Sequence, residues 1–145
     1  MENFVIANQR NLTFPQVYLD VDSGKCQIAG NSYMENAPDF YRPILDWITQ
    51  YIDQYQGELF WDFNLDYYNS CSKKMLIMIV KKLCNYKSSG GNAAIQWYYY
   101  PEDQTMLEDV EDLKMFTKIS IKTIAHKTGR LALRMPPPNL PNINC

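Results

Sequence analysis

The stretch ELFWDFNLDYY, residues 58–68, alternates almost without fault. Leu59, Trp61, Phe63, Leu65 and Tyr67 fall on one side, and Glu58, Asp62, Asn64 and Asp66 on the other. That period of two belongs to a strand with one buried face. A strand covered on both faces reads as a near-continuous apolar run instead. The sheet that holds this segment therefore carries its covering layer on one side only.

The rest of the chain repeats the motif and fills in the layer. QVYLDV (16–21) alternates in the same way, DSGK (22–25) is turn chemistry, and CQIAG (26–30) pairs back as a hairpin. Asn36 can cap a helix and Pro38 suits its first turn. Phe40, Ile44, Trp47, Ile48, Tyr51, Ile52 and Tyr55 then recur at helical spacing. Pro43 should interrupt that helix, because it lacks a donor and crowds the preceding turn. A second helix is expected from about Ser72 to Tyr86, with Met75, Leu76, Ile79, Val80 and Leu83 as its buried stripe. NAAIQWYYY (92–100) is another alternating strand, EDQTMLEDVEDLKMF (102–116) a short acidic helix, and KISIKT (118–123) a last strand.

The order ββαβαβαβ contains three strand–helix–strand crossovers, which favour parallel pairing, after an antiparallel hairpin. The expected architecture is an α/β two-layer sandwich. It has a mixed, mostly parallel sheet of about five strands with the helices on one face. Tyr18, Phe60, Tyr68, Tyr98 and Tyr100 are expected on the open face. Residues 1–124 form the domain. Residues 125–145, with three consecutive prolines and three asparagines, read as a Pro/Asn-rich basic tail.

Charge is unevenly placed along the chain. Residues 1–112 hold all 16 acids against 8 bases, and residues 113–145 hold six bases and no acid. A basic end is one route to nucleic acid or a membrane surface, but the tail folding back on its acidic domain, or simply being solvated, accounts for it as well. No apolar run spans a bilayer and the first residues have no signal-peptide pattern, so the protein is expected to be cytoplasmic, with neither membrane nor nucleic acid among its partners. Cys26, Cys71, Cys84 and Cys145 are widely spaced beside a single histidine, His126. They read as four reduced thiols rather than a zinc site.

No phosphate-binding glycine loop, zinc-protease helix or nucleophile elbow is present. No metal and no cofactor is expected. One enzymatic alternative uses Cys71, whose thiol would sit at a helix N-terminus; another uses the scattered carboxylates as a metal site. The remaining chemistry is in NSCSKK (69–74). Asn69, Ser70 or Ser72 can cap the helix that follows. The same geometry offers amide hydrogens and a positive dipole end to a phosphate on one of the hydroxyls, with Lys73 and Lys74 close by.

Three segments, GNSYMENAPDFYRPILDWITQYI (30–52), LDYYNSCSKKML (65–76) and IQWYYYPEDQTMLEDVEDL (95–113), resemble the signature blocks of the SiaC-like family of bacterial biofilm and aggregation regulators. They stand in the family's order and cover about residues 15–122. The resemblance implies a non-enzymatic phosphoprotein with a STAS-like fold, similar to anti-sigma-factor antagonists, acting by partner switching. It implies a cognate protein kinase, a PP2C-type phosphatase, and a diguanylate cyclase bound and activated by the unphosphorylated form, hence control of cyclic di-GMP. Carried over by position, the phosphorylated residue is Ser70, with Ser72 as a competing acceptor. Tyr68, Asn69, Cys71, Ser72 and Lys73 then form the switch surface, with Tyr67 and the Glu35–Asn36 turn around it. Two positions depart from the family pattern: serine stands at 70 where threonine is usual, and Cys71 replaces a serine.

Overall fold

A computed structural model of the chain describes residues 1–7 and 13–126. Its elements are β1 (Phe4–Ile6), β2 (Gln16–Leu19), β3 (Lys25–Ser32), α1 (Ala37–Gln54), β4 (Glu58–Tyr68), α2 (Ser70–Ser88), β5 (Asn92–Tyr99), α3 (Gln104–Phe116) and β6 (Ile121–Ala125). The six strands lie in one sheet in chain order. β1, β2 and β3 are antiparallel neighbours, and β3 to β6 are parallel. Each crossover steps one strand further in the same direction. Connections of one hand must then lay all three helices on the same face, which gives the one-sided layer expected from the alternation. A single core cluster joins Val17, Ile28, Trp61, Phe63, Ile95 and Trp97 of the sheet to the inner stripes of all three helices.

The sequence reading missed β1, because FVI is too short to display a period. It is held by pairing Phe4 with Leu19 and by the Trp47 indole, whose Nε1 donates to the Glu2 carbonyl at 2.9 Å. The expected break at Pro43 does not occur: α1 runs unbroken, with Pro43 inside it and exposed. The missing amide faces solvent, while Tyr41, Ile44, Leu45, Trp47, Ile48 and Tyr51 seat the helix on both sides of it. β6 begins at Ile121 and runs to Ala125, later than expected. His126 follows it, donating its amide to Tyr99 O at 2.7 Å and setting Nε2 2.8 Å from Asn64 Oδ1. Ordered pairing thus passes residue 124, and the expected tail lies, from residue 127 on, outside the described residues.

A register shift in β4 corrects several facings. Gly30 pairs with Leu65 but Asn31 pairs with Tyr67, so Asp66 is an extra residue in β4. Gly30 has φ +104°, a conformation that glycine adopts without strain, opposite this bulge. Beyond Asp66 the facing exchanges. Tyr68, expected on the open face, lies among the helices with its ring edge-on to Trp97, centroids 6.5 Å apart. Tyr67, expected inward, packs against Tyr33 at 5.6 Å. Tyr100, also expected on the open face, is fully buried, stacked on His126 at 4.3 Å, with its hydroxyl 3.4 Å from Asp66. Tyr18 remains about half exposed on the open face, as expected.

Candidate functional site

The first turn of α2 starts where β4 ends. α2 begins at Ser70, two residues before the expected start, and Asn69 is its cap. The Asn69 side-chain oxygen accepts from Ser72 N at 2.8 Å, and its carbonyl accepts from Lys73 N at 2.9 Å. The same residue ties the helix to the loop after β3, since its amide N donates to Ser32 O and its Nδ2 to Met34 O. The cap therefore fixes both the start of α2 and its distance from β3.

The two serines of the motif have opposite fates. Ser72 is completely buried, and its hydroxyl lies in a chain of short contacts beneath the helix. Ser32 Oγ is 2.7 Å from Tyr41 Oη and donates to Ser72 Oγ at 2.7 Å; Ser72 Oγ then donates toward Met34 Sδ at 3.5 Å. A consistent direction of donation runs from Tyr41 through Ser32 and Ser72 to the sulfur. Burial pushes the Tyr41 phenol well above its ordinary pKa, which keeps it a neutral donor. Ser70, one residue past the cap, is exposed, and its hydroxyl bonds to none of the described residues.

The other side of the turn faces α3. Lys73 Nζ donates to Asp109 Oδ1 at 2.7 Å, and Tyr68 Oη donates to Asp109 Oδ2 at 2.8 Å. The Lys73 side chain is 44% exposed and that of Asp109 only 14%. Burial, and then the hydrogen bond to Asp109, raise the Tyr68 phenol far above its usual range. Beneath this network, a cavity of about 530 Å³ opens between α2 and α3, lined by Leu76, Trp97, Leu113 and Phe116 among others.

The expected switch surface is thus partly corrected. Ser70 lies at the surface and Asn69 directly supports it. Cys71, 1% exposed, and Ser72 lie beneath and offer no contact surface, because the first turn directs them toward β3 and the core. Lys73 and Tyr68 face Asp109 rather than standing free beside Ser70. Glu35 and Asn36 are exposed, and Asn36 caps α1 by accepting from Asp39 N at 3.4 Å. Of the four thiols expected to be reduced, Cys26 and Cys84 are free, and Cys145 lies outside the described residues. Burial removes Cys71 as an exposed nucleophile. Among the described residues, no group of three or more histidine, cysteine, aspartate or glutamate side chains converges as metal ligands would. No described helix is long and apolar enough to cross a membrane.

Ser32, Met34, Tyr41 and Asp109 went unnoticed in the sequence reading as parts of this site. All four fall inside the quoted signature segments, but only the fold brings those segments together around one helix turn.

Comparison with known proteins gives a consistent result. A family model described as SiaC family regulatory phosphoprotein matches residues 7–126. An uncharacterized protein of Pseudomonas aeruginosa (strain UCBPP-PA14) is 25% identical over 100 residues, 69% of this chain and 79% of that protein. Solved structures of SiaC from Pseudomonas aeruginosa share the fold. One superposes with a TM-score of 0.79 at 23% identity, covering 87% of this chain and all of the other. The apo form gives 0.76 at 22% identity, covering 85% and 98%. A third, with a TM-score of 0.78 at 23% identity and covering 85% and 99%, is from a complex described as the diguanylate cyclase SiaD with its activator SiaC.

Proposed function

Because this chain belongs to the SiaC family of regulatory phosphoproteins, we propose that it is a binding switch rather than an enzyme, with Ser70 as the phosphorylated hydroxyl. The unphosphorylated form binds and activates a diguanylate cyclase, so that cyclic di-GMP output and biofilm formation follow its state. A cognate kinase adds the phosphate and a PP2C-type phosphatase removes it. The protein works in the cytoplasm, with no nucleic acid or membrane as partner.

The observation that carries this reading is the contrast between two hydroxyls two residues apart: Ser70 is exposed at the first position of α2, and Ser72 is sealed beneath it. A kinase can reach the first without unfolding anything. The cyclase as partner is supported by the Pseudomonas aeruginosa complex of similar fold.

The physical effect follows from position. A phosphoserine adds close to two negative charges at the positive end of the α2 dipole, where an anion is tolerated. The domain therefore keeps its fold. A docking surface gains a dianion that has to be desolvated and that repels any carboxylate opposite it. A coupling of about 1–3 kcal/mol, roughly 5- to 150-fold in affinity, is the size such switches reach.

The test is a cyclase-binding titration with unmodified protein, Ser70→Ala, and protein carrying phosphoserine at 70. Unmodified protein and Ser70→Ala should bind alike, and the phosphoserine form should bind at least fivefold more weakly. Equal binding by all three, together with no phosphate at Ser70 after incubation with the kinase, overturns the reading.

A further inference from the structure

The α2–α3 seam holds the one ion pair that reaches from the first turn of α2 to another element among the described residues. Lys73 lies three residues beyond Ser70, and residues at that spacing are neighbours on a helix surface. Long side chains on a helix also lean toward its N-terminus. The Lys73 ammonium therefore lies within reach of two acceptors: the Asp109 carboxylate it now holds at 2.7 Å, and any phosphate carried by Ser70. The two acceptors are unequal. The phosphate is close to doubly charged and solvated; Asp109 is singly charged and mostly buried.

α3 is also the least anchored helix. It buries only Met106, Val110 and Leu113, against seven residues in α1 and eight in α2. Its C-terminal Met115 and Phe116 are 82% and 84% exposed, and the cavity of about 530 Å³ lies under its inner edge. If Lys73 leaves, Asp109 keeps the Tyr68 hydroxyl but loses the one ion-pair partner it has among the described residues, and a half-matched buried carboxylate draws in water.

We propose that Lys73 and Asp109 are the residues that read the phosphate: phosphorylation of Ser70 takes Lys73 from Asp109 and loosens α3 from α2 at the mouth of the cavity. Lys73 acts as a positioning residue. The change at Ser70 reaches a second surface, that of α3, without any rearrangement of the sheet. The inference rests on the reading of Ser70 as the modified residue and extends it to how the modification is transmitted.

Hydrogen exchange of the α3 amides, residues 104–116, tests it in the full chain. Phosphoserine is installed at position 70 during translation, so no kinase is needed. Phosphoserine should speed α3 exchange roughly three- to tenfold, the range expected for losing one charged contact on a partly buried group. In Lys73→Met, α3 should already exchange fast and phosphoserine should add nothing; Lys73→Arg should restore the response. An α3 that ignores phosphoserine, or responds equally in Lys73→Met, overturns the inference. Cyclase binding measured on the same samples separates the two ideas. Binding lost while α3 stays silent overturns the relay and leaves the Ser70 switch standing. An α3 that responds while binding is unchanged supports the relay and overturns the switch.

Discussion

The two sides of the first turn of α2 are built on different principles. Toward β3 and α1 it rests on neutral hydroxyls, Tyr41, Ser32 and Ser72, buried and linked by contacts of 2.7 Å. Toward α3 it rests on one ion pair, part exposed, above a cavity. A buried, fully partnered hydroxyl chain has no alternative arrangement of similar energy, because any displaced group would be stranded without water. A half-exposed ion pair has many, since water and other ions replace either partner at little cost. A helix start held this way has a fixed side and an adjustable side, and the exposed Ser70 lies between them.

Substitutions on each side should separate them. The largest loss should come from Ser32→Ala, which strands Tyr41 Oη and leaves Ser72 Oγ only the weak contact with Met34 Sδ. About 2–3 kcal/mol of stability should disappear in urea unfolding with an unchanged slope. A loss below about 1 kcal/mol would mean the fixed side is not fixed.

Alkaline pH should act on both sides at once, through Tyr41 and Tyr68. Both phenols have folded pKa values raised above the unfolded value of about 10, Tyr41 by burial, Tyr68 by burial and then Asp109. The folded state keeps protons that the unfolded chain gives up. Their contribution is therefore fully present below about pH 10 and is lost as pH climbs from there toward the folded values. Each phenol should remove about 1.4 kcal/mol per pH unit in that window. Denaturation at pH 9, 10 and 11 measures the slope, and Tyr68→Phe should reduce it by that phenol's share, the rest coming from Tyr41 and from the other groups that burial raises, Cys26, Tyr33, Tyr51 and Tyr86.

Asn69→Ala, which removes the cap shared by the two sides, should cost about 1 kcal/mol by the same unfolding measurement. Asp109→Asn should cost less than about 1 kcal/mol, because Lys73 is nearly half exposed. Its sharper signature should be raised hydrogen exchange in α3 with exchange in α1 unchanged. Smallest of all, Ser70→Ala should alter stability by no more than about 0.5 kcal/mol in a thermal melt, as befits a surface hydroxyl with no described partner.

Much of this was visible in the chain. The alternation in β4 called for a one-sided sheet, and the helical stripe from Met75 to Leu83 is buried as expected. Asn36 and the NSCSKK turn mark the starts of α1 and α2. The failures have definite causes. Period-two counting fails at Asp66, because a bulge is a property of two paired strands and nothing within β4 announces it; hence Tyr67 and Tyr68 were misplaced. Ser72 looked as available as Ser70, because exposure at a helix start depends on which neighbour lies beneath, here Ser32 and Met34, some 40 residues away in the chain. The pairing of Lys73 with Asp109 went unforeseen because the two lie 36 residues apart in the chain. Pro43 was overweighted, since the packing of a long apolar stripe outlasts the loss of one solvent-facing amide bond.

The extra residue at Asp66 works as a phase shifter. Everything downstream, from the ring that meets Trp97 to the cap of α2, takes its orientation from that single insertion. Shortening β4 by one residue there would turn Tyr68 and Asn69 half a rotation about the strand, away from Asp109 and Ser72 together. A protein so altered could retain every side chain of the switch and still be unable to assemble it, so for this fold a change of length at one point is graver than a change of chemistry at any nearby position.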